Sequence, residues 1–191
     1  MGQLSRRDMA SSALALAFFG VGWFGWGQAK PPGWAPAWLG IGEAISLLVV
    51  IASAVTAFRE PRATALPVRD RAAFRKYLIV FWGEIAVILV AAVILAFTGA
   101  SAYLPAAICA AVGLHFIPLS AVVRDRPLIP LGVTVTAVAV AALTIGLTTH
   151  VSPSTITGFG AGGALVGYAA WSLVRARRLP TARSAATAVQ G

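Results

Sequence analysis

Six apolar runs, each about 18–22 residues long, succeed one another along this chain with short polar connections between them. A run of that length matches the roughly 20 residues that carry an α-helix across the hydrocarbon core of a bilayer. In hydrocarbon every backbone N–H and C=O has to be satisfied within the protein, which leaves only helices and closed barrels. Barrel strands are about half as long and alternate polar with apolar residues. These runs do not alternate. The expected fold class is therefore all-α, a polytopic integral membrane bundle of six transmembrane helices. Charged residues make up 11% of the chain, against about 25% in a soluble domain, so a soluble fold is excluded.

The spans are expected at about Met9–Gly27, Trp38–Phe58, Tyr77–Phe97, Leu104–Val123, Leu128–Thr149 and Thr157–Val174. They form one membrane domain over 9–174, with no room for a second globular domain. Residues 1–8 read as a basic N-terminal anchor. Residues 175–191 are basic and then rich in Ala, Ser and Thr, a composition that predicts disorder. Arg69–Lys76 has the makings of a short interfacial helix. Ser5-Arg6-Arg7 ahead of an apolar run is also the pattern of a twin-arginine export signal. Five further spans follow, and Trp34-Ala35-Pro36-Ala37 makes a poor cleavage site, so the anchor reading is preferred.

Arginine and lysine set the expected orientation. With the N-terminus inside, the inner segments collect Arg6, Arg7, Arg59, Arg62, Arg69, Arg71, Arg75, Lys76, Arg124, Arg126, Arg175, Arg177, Arg178 and Arg183. Only Lys30 of the 15 basic residues falls outside. That asymmetry predicts both termini on the cytoplasmic side of a bacterial plasma membrane. It also accounts for the net charge of +9 without nucleic acid, for which no recognisable binding module is present. Trp23, Trp26, Trp34 and Trp38 are expected at the outer boundary as an aromatic belt. Cys109 is the single cysteine, so no intrachain disulfide is available, and it is expected to pack as a small hydrophobe.

The polar residues inside the spans carry the functional question. Glu43 and Glu84 are the acids, and His115 is the one histidine within an apolar run. A charged group at the centre of a span costs roughly 2.5–3.5 kcal/mol on insertion scales, so each should face protein or water. At 1.5 Å per residue, Glu84 lies roughly 4–5 Å and His115 roughly 2 Å inward of mid-span, on helices joined by a tight loop. The two are expected to meet on neighbouring helices and to share a proton, as a proton-exchanging site or as a structural pair that fixes register. Glu43 lies roughly 7–8 Å outward of mid-span and reads as reaching toward outer water or as a further member of the polar site. Pro118, three residues after His115, has no N–H and so frees the carbonyl of Leu114. The bend this predicts would make room for water beside the ring.

Gly158/Gly162 and Gly163/Gly167 have the small-xxx-small spacing of a helix-packing surface, for a partner protein or a second copy. Gly158-Phe159-Gly160-Ala161-Gly162-Gly163 is no phosphate loop, since no strand precedes it and no Lys-Ser/Thr follows. Gly42-Glu43-Ala44-Ile45 echoes Gly83-Glu84-Ile85-Ala86, a pattern that an inverted repeat would leave. A bis-histidine haem is set aside because His150 falls in an outer loop. Zinc is set aside because Glu43 is too far from the other two groups. No HExxH or GxSxG motif occurs. No cofactor and no catalytic residue are expected.

Gly113-Leu114-His115-Phe116-Ile117-Pro118-Leu119 resembles a Gly-x-His-Phe/Tyr-x-Pro-Leu/Phe pattern in small bacterial multi-span membrane proteins of uncharacterised families. The resemblance covers about seven residues and implies no established activity, though it adds weight to His115. Two function classes follow from the residues. One is a small proton-linked transporter or channel-like protein using Glu84 and His115. The other is a non-catalytic assembly or packing subunit that uses the glycine face of the last span.

Overall fold

A computed structural model describes residues 5–60, 71–123 and 125–179, with backbone alone for 71–74. Within these residues there are six α-helices: α1 Arg6–Gly27, α2 Ala35–Arg59, α3 Arg71–Phe97, α4 Leu104–Val123, α5 Leu128–Thr148 and α6 Pro153–Arg178. A 3-10 turn, Ser101–Tyr103, precedes α4. Five of them are long and apolar enough to cross a membrane, namely α1, α2, α3 from Arg75, α4 with its leading turn, and α5. At 26 residues α6 has the length, about 39 Å at 1.5 Å per residue, but not the same apolarity.

Capping extends several helices past their apolar blocks. At the start of α1 the Ser5 hydroxyl accepts from the Asp8 N–H, and the Asp8 carboxylate accepts from the Ser5 N–H. This reciprocal cap satisfies two backbone donors that the first turn leaves over. Pro36 and Pro153 stand in the first turns of α2 and α6, where a missing N–H costs nothing. Arg175, Arg177 and Arg178 in the last turn of α6 complement the negative end of its dipole. Instead of a separate interfacial helix, Arg71–Lys76 continues unbroken into α3, and Arg69 and Asp70 lie outside the described residues. Leu4 and its predecessors in the expected anchor, Arg124, and residues 180–191 of the expected tail also lie outside them.

Alpha3 ends in a left-handed residue, Gly99, at φ 71°. The Ala100 N–H bonds to the Leu95 carbonyl at 2.8 Å and the Gly99 N–H to the Ala96 carbonyl at 3.3 Å. This pair of bonds is a Schellman stop, which a residue without Cβ adopts at least cost. It folds α4 back along α3.

The helices share no single axis of packing. Alpha1 packs most extensively on α6 and then on α2, and α4 packs on α5. Alpha5 joins these two groups by lying against α6, while α3 leans chiefly on α4. Cross-helix contacts fix the directions. Arg6 Nε lies 3.2 Å from Glu60 Oε1, which joins the start of α1 to the end of α2. The Ser172 hydroxyl donates to the Met9 carbonyl at 3.3 Å, which joins the end of α6 to the start of α1. The Tyr168 hydroxyl donates to Asp125 Oδ2 at 2.6 Å, just before α5 begins. Arg6, Arg59, Arg126 and Arg175 therefore share one end of the bundle, opposite the α1–α2 loop that carries Lys30.

Glycine sets the closest helix crossings. A Cβ added to Gly158 would lie 2.7 Å from the Gly27 Cα, and one added to Gly132 would lie 2.7 Å from the Gly113 carbonyl oxygen. Backbone meets backbone at both points, α6 on α1 and α5 on α4. In lipid, where neighbouring tails are as apolar as any side chain, such close approach is what holds helices together.

Candidate polar site between α3 and α4

Alpha4 has two working faces. Cys109, Gly113, Phe116 and Ser120 are buried, and on that side the Cys109 thiol donates to the Val135 carbonyl of α5 at 3.3 Å. Cys109 thus packs as a small buried group with a weak donor. At about 100° per residue, His115 stands about 200° round the helix from Gly113. A helix pressed onto α5 at Gly113 must therefore present His115 on its opposite side, where α3 lies.

His115 Nδ1 lies 3.0 Å from Glu84 Oε2, with the side chains only 10% and 14% exposed. Depth and the tight hairpin thus bring together the two groups that the sequence singles out. The approach is close but not aligned: the ring N–H direction misses the carboxylate, and Nδ1 is buried without a hydrogen bond of good geometry. A buried polar atom in that condition needs a reason. Here the neighbour is itself ionisable. A carboxyl and an imidazole this close are within reach of a shared proton. The arrangement can store a proton or pass one on. Among the described residues no cluster of three His, Cys, Asp or Glu side chains converges as a metal site would need.

Pro118 is exposed on the outside of α4, and the helix continues through it to Val123. The Ser120 hydroxyl donates to the Ile117 carbonyl at 2.7 Å in the same turn. The carbonyl that proline frees belongs to Leu114, whose side chain also faces outward. Two surface grooves are defined, one between α5 and α6 and one along α3 past Ala86, and neither includes His115 or Glu84.

Glu43 stands apart from the pair. It is half-buried on α2, and its Oε1 lies 4.0 Å from the place a Gly25 Cβ would occupy, on the α1 side. The echo between Gly42-Glu43 and Gly83-Glu84 is not matched in space. A Cβ on Gly42 would collide with the Phe24 ring, whereas one on Gly83 would meet nothing within 4 Å.

The glycines of α6 divide into two sets. Gly158 and Gly162 pack on α1, against Gly27 and the Phe24 ring. Gly163 and Gly167 are exposed, and a Cβ on either would meet nothing within 4 Å. The expected packing surface is thus half used within the chain and half open.

The tryptophans divide as well. Trp34 and Trp38 are exposed, as a belt requires. Trp23 is 6% exposed, belongs to the core and stacks on Trp26 with ring centroids 5.7 Å apart. Its place at the end of a span suggested an interface, but Gly20 and Gly27 on either side draw α1 onto α6 and bury the ring between them. The sequence reading missed the Arg6–Glu60 and Tyr168–Asp125 contacts. The available signal for the second was Asp125 itself, an acid held between two arginines in a minimal turn.

Comparison of the chain with protein-family models, with curated proteins and with solved structures returns no match.

Proposed function

We propose that this chain is a six-span membrane protein in which Glu84 and His115 bind and release a proton as part of transport or channel-like conduction. The 3.0 Å approach of Nδ1 to Oε2 on two apolar helices carries the reading. Ionisable groups at such depth are costly and are retained mainly where they serve a path or a switch. The position of α3 supports it too. Its outer face is unpacked, so a change of charge at the pair can move it without breaking a core. Alpha6 is assigned as the sixth span because it runs antiparallel to α1 along a shared glycine contact. The gathering of basic residues at one end of the bundle supports a cytoplasmic side for both chain ends.

The test is flux in proteoliposomes loaded with a pH-sensitive dye. The wild-type chain should move protons down an imposed gradient, and Glu84→Gln, which keeps the shape of the side chain, should remove that movement while the helix content is unchanged. Equal flux in the two would refute the proton role.

The open stripe of Gly163 and Gly167 favours a second reading, a non-catalytic assembly subunit that docks a partner helix or a second copy there. Cross-linking from cysteines placed beside that stripe would support it if partner-dependent products formed. The absence of such products in native membranes would remove it.

A further inference from the structure

The groove between α5 and α6 lies away from the Glu84–His115 pair and has a composition of its own. It is an open surface groove of about 320 Å³, lined by Pro130, Leu131 and Thr134 on α5 and by Ala164, Tyr168 and Trp171 on α6. That volume falls at the low end of the about 300–1,000 Å³ typical of small-molecule sites. Ala164 keeps it open, since a larger side chain there would fill the space between the helices. At the arginine-rich end of the bundle the groove meets charge. The Arg175 guanidinium sits over the Trp171 ring, 4.6 Å from its centroid. Arg126 is exposed one residue before the Pro127 cap of α5. The start of α5 adds the positive end of a helix dipole. The nearby acid, Asp125, accepts the Tyr168 hydroxyl at 2.6 Å.

An apolar slot that opens onto arginines and a helix N-terminus matches one kind of occupant. We infer that the α5–α6 groove binds an anionic phospholipid, with one acyl chain along Leu131 and Ala164 and the phosphate held at Arg126 and Arg175. The charge complementarity selects a lipid over an uncharged partner helix, and the apolar walls select a lipid over a free anion. Trp171 holds the Arg175 side chain by a cation–π contact, so the guanidinium is already placed for the phosphate. The inference rests on the membrane reading of the chain but not on the proton role of Glu84 and His115.

Titration of the detergent-solubilised full chain with phosphatidylglycerol and with phosphatidylcholine, read by native mass spectrometry, tests it. Phosphatidylglycerol should bind more tightly. Arg175→Gln should weaken it about fivefold, the effect of about one basic residue at an anionic surface, and leave phosphatidylcholine unchanged. Ala164→Phe should displace both lipids while the helix content stays the same. Glycerol 3-phosphate, an anion without a chain, should not compete. Equal binding of the two lipids, indifference to Arg175→Gln or Ala164→Phe, or full competition by glycerol 3-phosphate would each overturn the inference. So would a dimer that Ala164→Phe breaks while lipid binding persists, since a second copy would then be the occupant. Failure of the chain to enter bilayers at all would count against the membrane reading instead.

Discussion

Alpha3 and α6 reverse the relation between apolarity and burial that holds in water. Alpha3 is the most apolar of the candidate spans, and none of its membrane-length window is buried inside the protein. Alpha6 falls short of the others in apolarity, yet thirteen of its residues are buried, more than in any other helix of the bundle. In a soluble domain apolar surface drives burial. Under the membrane reading proposed above, a bilayer would remove that drive, because lipid tails serve an apolar face as well as protein does. What remains is shape: α6 is drawn inward by Gly158 and Gly162, and α3, lined with Val, Ile and Leu, is left facing outward.

The sharpest test of this contrast is Gly158→Leu. The new side chain must begin 2.7 Å from the Gly27 Cα, where backbone cannot yield. Overpacking of this kind costs typically about 1–3 kcal/mol, and the upper part of that range is expected. Chemical unfolding in mixed micelles would measure it. A loss under about 0.5 kcal/mol, the size of an ordinary surface change, would mean that α1 and α6 are not held by this contact.

The effect expected at Glu84→Leu is next in size. It replaces the carboxylate 3.0 Å from the buried His115 Nδ1 with a group that can neither donate nor accept, at a cost of at most about 1–3 kcal/mol. Glu84→Gln should cost less, because an amide still offers a donor and an acceptor. The same unfolding assay ranks the two variants. If both are neutral, the α3–α4 contact owes nothing to the pair and α3 is held by packing alone.

The smallest effect is expected at Gly167→Leu, on the open side of the same helix as Gly158. Nothing lies within 4 Å of a Cβ there, so stability should change by less than about 0.5 kcal/mol. A larger loss, dependent on protein concentration, would show that another helix occupies that face and would turn the contrast within α6 into an interface.

That the described residues form six helices was legible in the sequence, because non-alternating apolar runs of about 20 residues read as helices. The meeting of Glu84 with His115 was legible for a related reason: a tight loop and 1.5 Å per residue are enough to compare depths. Which way a side chain turns round its helix was not. For Pro118, Trp23, Gly163 and Gly167 the face depends on which neighbour each helix chooses. That choice is made at Gly27–Gly158 and Gly113–Gly132, contacts between residues with no side chain to signal them. An apolar run carries no such mark, since every face of it is equally content in lipid.

The joining of α1 to α6 has a consequence for how the protein is made. Gly27 and Gly158 are about 130 residues apart in the chain, so at about 5–20 residues per second a ribosome takes on the order of ten seconds to supply the second after the first. For that interval α1 and α2 stand without the helix that packs on both of them. Completion of the α1–α6 contact then waits for α6, and a chain halted before it leaves Gly27 without its partner Gly158.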